Sequence, residues 1–206
     1  MRALLLVDLQ NDFLPGGPLA VPDGDAVIPV ANRLMAGFET VIASQDWHPA
    51  DHSSFVAEHP GHIVGDTVHL NGQTQILWPV HCVQESDGAS FSEDLNSERI
   101  THVIAKGTDR EIDSYSAFFD NGHVKETGLH GYLQALGVDA LTVLGLATDY
   151  CVKYTVLDAL KLSYRVSLVT DGIRAVNLRQ DDGSNALLEM SAAGADLITS
   201  SDIAGE

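Results

Sequence analysis

Basic residues are scarce in this chain: 11 lysines and arginines stand against 29 aspartates and glutamates, a formal net charge of −18. A surface so acidic repels phosphate backbones and anionic headgroups, which argues against nucleic acid or a membrane as partner. Cysteine is scarcer still, with two in 206 residues, too few for a disulfide framework where no export signal is seen. The apolar start, residues 1–7, is cut short by Asp8 and followed by no small-residue cleavage site, so no secretory leader is expected. No apolar run approaches the roughly 18 residues of a membrane span. Disorder is excluded too, because 45% of the residues are hydrophobic. These absences leave a cytoplasmic globular protein, residues 1–206 forming one compact domain with a sizeable core.

The periodicity alternates along the chain. Short apolar runs at 2–7, 40–44, 101–105, 141–144, 166–169 and 196–199 read as six strands. Helical spacing separates them: Val27, Val30, Leu34 and Phe38 within 26–38, Leu129, Leu133 and Leu136 before Gly137, then 151–162 and 184–193. Strands alternating with helices predict an α/β fold, a doubly wound three-layer α/β/α sandwich on a six-stranded, mainly parallel sheet. Residues 46–97, rich in proline, glycine, histidine and serine, read as one long irregular stretch. Such a stretch inside a compact domain is usually functional.

In a doubly wound sheet, ligands gather at the carboxyl ends of the strands. Asp8 closes the first strand, Asp46 and His48 follow the second, Lys106 ends the third and Cys151 opens the helix after the fourth. An acid, a metal-type pair, a base and a thiol thus share one rim. Cys151 is either a small core residue or a nucleophile. In a first helical turn, capped by Thr148 or Asp149, the positive helix end would lower its pKa. Lys106 is either a snorkelling surface lysine or a cation that stabilises both a thiolate and a carboxylate. Asp8 is either a loop cap or the group that takes the thiol proton. Asp46 and His48 stand two residues apart, so in extended backbone both point the same way. Nine histidines in the chain, with His52 and His81 in the same irregular region, add to the case for a metal. Oxygen and imidazole donors suit zinc, iron or manganese, whereas Cys82 reads as packing.

Together VDLQNDF around Asp8, DWHP from Asp46, WPVHC from Trp78, Lys106-Gly107 and ATDYCV around Cys151 resemble the nicotinamidase branch of the isochorismatase-like cysteine hydrolases. The resemblance covers about three quarters of the chain and rests on the order and combination of the motifs. It implies Asp8, Lys106 and Cys151 as a catalytic triad, and one divalent metal, zinc foremost, on Asp46, His48 and His81, with His52 a further candidate ligand. It also implies a cis Leu146–Ala147 bond, an oxyanion hole from the Ala147 and Cys151 amides, and a pocket walled by Phe13, Trp78 and Tyr115. The implied reaction is deamidation of nicotinamide through a cysteine thioester, in NAD salvage, with pyrazinamide a second substrate. The implied partner is that small molecule, with homo-oligomers known among related enzymes. Two rival readings are a metal-independent amidase of the same fold and a non-catalytic metal-binding module.

Overall fold

A computed structural model describes residues 1–203; residues 204–206 of the expected domain lie outside it. The strands are β1 (Arg2–Val7), β2 (Val41–Asp46), β3 (Thr67–Leu70), β4 (Gln73–Ile76), β5 (His102–Lys106), β6 (Ala140–Leu146), β7 (Arg165–Arg174) and β8 (Asp196–Ile198). Six of them form one sheet in the order β5-β2-β1-β6-β7-β8, every neighbouring pair parallel. The expected six-stranded parallel sheet is therefore present. The helices are α1 (Val27–Met35), α2 (Leu129–Ala135), α3 (Lys153–Lys161), α4 (Asp182–Ala192) and α5 (Ser200–Ile203). None is long and apolar enough to cross a membrane.

Why β1 is apolar throughout follows from its place in the middle of the sheet. Ala3, Leu5 and Val7 face a core shared with Leu129 and Leu133 of α2, Val156 of α3 and Met190 of α4. Leu4 and Leu6 face the opposite core, with Val27, Ala31 and Leu34 of α1. A strand covered on both faces has no side left for polar residues. Each buried leucine contributes about 1.5–3 kcal/mol, and cutting one to alanine costs about 2–5 kcal/mol. Helix α1 turns Val27, Ile28, Val30, Ala31, Leu34 and Met35 inward. It ends where the Gly37 N–H folds back onto the Leu34 carbonyl at 2.9 Å.

Three features depart from the expectation. The stretch 46–97 is not structureless, since β3 and β4 make an antiparallel hairpin within it. Strand β7 runs on to Arg174, and its register with β6 shifts between Val143 and Gly145. There Gly145 has φ +134°, and a Cβ would stand 2.1 Å from the Val7 carbonyl oxygen, so only glycine fits. Finally, Cys151 does not open an α-helix. Thr148–Val152 form a π-helical turn ahead of α3. Neither Thr148 nor Asp149 caps this turn. The Asp149 carboxylate instead accepts the backbone N–H groups of Val176 and Asn177 at 2.9 and 2.8 Å, holding the segment after β7 against the turn.

Candidate active site

The strand order sets the carboxyl ends of β5, β2, β1 and β6 side by side. Asp46 pairs in register with Lys106, and Val7, just before Asp8, with Gly145. Asp8 leaves β1 with φ +50°, a left-handed conformation that costs a non-glycine residue about 1–3 kcal/mol. The turn aims its carboxylate across the strand ends, where Ser44 Oγ donates to Oδ1 at 2.6 Å.

Lys106 is the hub. Its Nζ lies 2.9 Å from Asp8 Oδ2, 2.9 Å from Asp46 Oδ1, 3.0 Å from the Ser114 carbonyl and 3.4 Å from Cys151 Sγ. Three side chains and one backbone carbonyl from distant parts of the chain thus meet at one ammonium. Burial by itself would push the Lys106 pKa down, but the Asp46 and Asp8 carboxylates outweigh it and hold the ammonium well above the ordinary lysine range. Burial raises Asp8, with Lys106 opposing. Cys151 corrects an expectation. Burial pushes its thiol well up, Lys106 pulls the other way, and a hydrogen bond to Asp8 favours the protonated form. In the ligand-free site the thiol, facing the Asp8 carboxylate, keeps its proton.

Beside this cluster stand Asp46, His48 and His81, all buried, with one donor atom from each within 4.8 Å of the others. His48 Nε2 is 3.1 Å and His81 Nε2 3.5 Å from Asp46 Oδ2. Their Nδ1 atoms face backbone carbonyls, Gly107 at 2.9 Å and Pro79 at 2.8 Å. A carbonyl only accepts, so each Nδ1 carries the hydrogen and each Nε2 turns a bare lone pair toward the carboxylate. Lone pairs converging on a carboxylate call for positive charge between them. Burial would lower the His48 pKa, but Asp46 reverses this and raises it. Burial would likewise raise Asp46, yet His48 and Lys106 bring it well below the carboxylate range. A divalent cation meets the same demand, and the two imidazoles with one carboxylate are a donor set that suits it. Phe55, fully buried, packs against His48 and His81 at 5.4 and 5.5 Å between ring centroids. Gly107 keeps room for His48: at φ +63°, a Cβ there would lie 2.4 Å from His48 Cε1.

A narrow pocket opens onto both groups, lined by Phe13, Trp78, Tyr115, Ala147, Cys151 and Asp46. Trp78 Nε1 donates to the Tyr115 hydroxyl at 3.1 Å, and Gln75 of the hairpin reaches the same oxygen at 3.3 Å. Tyr150 meets Trp78 edge-on at 4.8 Å. The Leu146–Ala147 bond is cis. Every residue singled out in the sequence therefore lies in or beside this pocket, His52 included, buried 4.3 Å from the His48 ring. Sequence reasoning missed Tyr150 and Asp113, both on the pocket wall. Tyr150 adjoins Cys151 and could have been inferred from that. Asp113 has no sequence signal, for only the fold buries its carboxylate. A larger cavity lined by Ile63, Tyr154, Arg179 and Glu189 lies on the other side of Tyr150, which lines both, and holds none of the triad.

Comparison with known proteins agrees over the whole length. An isochorismatase domain model matches residues 2–202. The chain is 53% identical to the nicotinamidase of Escherichia coli (strain K12), over 98% of this chain and 96% of that protein. Its structure is similar to a nicotinamidase/pyrazinamidase of Acinetobacter baumanii, with a TM-score of 0.95, 43% identity, and 98% and 97% of the two chains covered. It is also similar to the pyrazinamidase of Pyrococcus horikoshii in complex with zinc, with a TM-score of 0.78, 35% identity, and 96% and 98% covered.

Proposed function

The chain belongs to the isochorismatase-domain family, and from that membership we propose that it is an amidohydrolase converting nicotinamide to nicotinic acid and ammonia, in NAD salvage in the cytoplasm. Pyrazinamide, a flat amide of the same size, is a second substrate. The observation that carries the reading is the Lys106 ammonium, within 3.4 Å of a thiol, 2.9 Å of each of two carboxylates, and beside a metal-type cluster. A metal-independent amidase would have no use for the His48 and His81 lone pairs turned onto Asp46. A binding module would have no use for the buried thiol and its acid partner. The chain acts on a small neutral molecule, alone or as a homo-oligomer, without nucleic acid or membrane.

Asp46, His48 and His81 would hold the metal, zinc on this reading. When bound, it supplies a Lewis-acidic anchor for the pyridine nitrogen of the substrate. Phe13, Trp78 and Tyr115 wall the pocket around the ring and exclude water. Cys151 Sγ attacks the carboxamide carbon as its proton passes to Asp8, already its hydrogen-bond partner. The N–H groups of Ala147 and Cys151 receive the developing oxyanion. Asp8 gives the proton to the departing nitrogen, ammonia leaves and a thioester remains. Asp8 then takes a proton from water, whose oxygen attacks the thioester carbon. Nicotinic acid leaves, and the sulfur recovers the proton from Asp8. Lys106 stays charged throughout, and its positive charge offsets whichever of Asp8 and Cys151 is anionic.

Ammonia release from nicotinamide by purified protein, before and after chelation and with metal restored, tests the proposal. Release that is lost on chelation and recovered with zinc is expected. Release indifferent to chelation would remove the metal from the reading, and no release from metal-loaded protein would remove the substrate.

A further inference from the structure

The hairpin of β3 and β4 is anchored by an unexpected kind of residue. Of the four residues in each of its strands, Gln75 alone is buried, and it is polar. A two-stranded ribbon held by packing would bury an apolar side chain there. A buried amide is tolerated only where its hydrogen bonds are made. Gln75 Nε2 lies 2.7 Å from the Ile76 carbonyl, 3.1 Å from Asp113 Oδ2 and 3.3 Å from the Tyr115 hydroxyl. The carbonyl and the carboxylate only accept, so it is the nitrogen of the amide that faces this side. Two of the three acceptors, Asp113 and Tyr115, belong to the wall of the narrow pocket, whereas Gln75 stands outside it.

The Tyr115 hydroxyl passes this contact on. It also receives the Trp78 Nε1–H at 3.1 Å, so both its lone pairs are taken, one by the hairpin and one by the indole. The Trp78 backbone is held separately: its N–H donates to the Ser54 carbonyl at 2.9 Å, and its carbonyl receives the Val56 N–H at 2.8 Å. With the backbone fixed, the angle of the indole depends on what its own N–H meets, and that is Tyr115. The Tyr115 ring is flanked by Tyr150 and Tyr154, at 5.5 and 5.4 Å between centroids. Those rings hold it from the sides, and the two N–H donors hold its oxygen at the end.

We propose that Gln75 is a positioning residue: through the Tyr115 oxygen it sets the Trp78 indole at the angle at which the pocket takes a flat ring. The hairpin thereby acts on substrate binding without touching the substrate. This rests on the reading of nicotinamide as that substrate.

Gln75→Met keeps the length of the side chain and removes the donor. The KM for nicotinamide should rise about 3–10-fold, the loss of one or two ordinary hydrogen bonds. The kcat should stay within about twofold of wild type, since the wall acts on binding and not on the sulfur. In a Tyr115→Phe background, where the shared oxygen is gone, the same replacement should add less than about twofold to KM. An undiminished rise there would place the effect at Asp113 or in folding and overturn the proposal. A second readout needs no turnover. The chain has two tryptophans, and the indole N–H signal of Trp78 is identified by its loss in Trp78→Phe. In ligand-free Gln75→Met that signal should move while the Trp47 signal stays, and an unmoved Trp78 signal would overturn the proposal. Should the variant not fold, wild-type protein decides. Its Gln75 amide hydrogens should exchange slowly with solvent and show nuclear Overhauser contacts to the Tyr115 ring; a fast-exchanging amide without those contacts would overturn the proposal. Wild-type protein that leaves nicotinamide intact, with the Trp78 shift present in the variant, would refute the substrate reading alone.

Discussion

Replacing Lys106 by methionine keeps the length of the side chain and removes its charge. Asp8 and Asp46 then face one another in a buried site with no cation between them, each having lost a partner at 2.9 Å. Breaking a buried ion pair from one side costs about 3–5 kcal/mol. For a domain of this size each kcal/mol lowers Tm by about 2–4 °C, so a fall of roughly 6–20 °C is expected at neutral pH. The pH dependence carries the sharper content. In the variant Asp8, already raised by burial, loses the Lys106 charge that opposes it and rises further, so protonation favours the folded state and the deficit shrinks as the pH falls toward 5. In wild type Asp46 is held well below the carboxylate range. Its contribution is present above about pH 4 and is lost only as the pH falls on through its folded value, so Asp46 itself adds no change in wild type over that interval. Calorimetric scans of chelated protein at neutral pH and at pH 5 measure both quantities. Adding metal should restore part of the loss, because it neutralises Asp46 and leaves only Asp8 uncompensated. A variant that melts within about 1 °C of wild type at neutral pH, or a deficit that widens on acidification, would refute the hub.

Three further outcomes follow from the same geometry. Cys151→Ala should abolish turnover while the calorimetric Kd for nicotinamide changes less than tenfold, about 1.4 kcal/mol; lost binding would mean that the thiol holds the substrate. Gly107→Ala, pressed against His48 at a left-handed φ, should cost about 1–3 kcal/mol and weaken zinc at least tenfold, read by denaturation and by chelator competition. Because burial pushes the thiol up, alkylation of ligand-free protein by iodoacetamide should keep accelerating with pH through the ordinary thiol range near 8.5. A rate already level at neutral pH would mean that a resting thiolate is present.

The sheet was legible because its central strands β1, β2 and β6 are buried on both faces or nearly so, which left apolar runs with turns between them. The rim was legible for a related reason. A charged residue at the end of an apolar strand, as at Asp8 and Lys106, has few explanations, and three in one sheet, with a thiol after a fourth strand, narrow them further. What stayed hidden was tertiary. Strands β3 and β4 are only partly buried, so their alternation is faint, although Asn71-Gly72, both with positive φ, is a hairpin signal that was there to be read. The Cys151 thiol was expected to be acidified by the helix end, because sequence reveals the turn but not the depth of burial that outweighs it. Nor does sequence tell which nitrogen of a histidine faces a carbonyl, the contact that turns the Nε2 lone pairs of His48 and His81 onto Asp46.

The central position of β1 has a consequence for how the protein comes into being. Leu4 pairs with Val41 on one side and with Thr142 on the other, so the first strand to be synthesised waits for the sixth before it is fully paired. Contacts of such long sequence separation form late and slow folding. A chain emerging from the ribosome can set Asp8 beside Asp46 and Lys106 early, but Cys151 joins them only after most of the protein has been made. The Cys151 sulfur is thus delivered last, to a cluster of charges contributed by earlier strands. A fragment that ends before β6 lacks Cys151 and the strand that positions it.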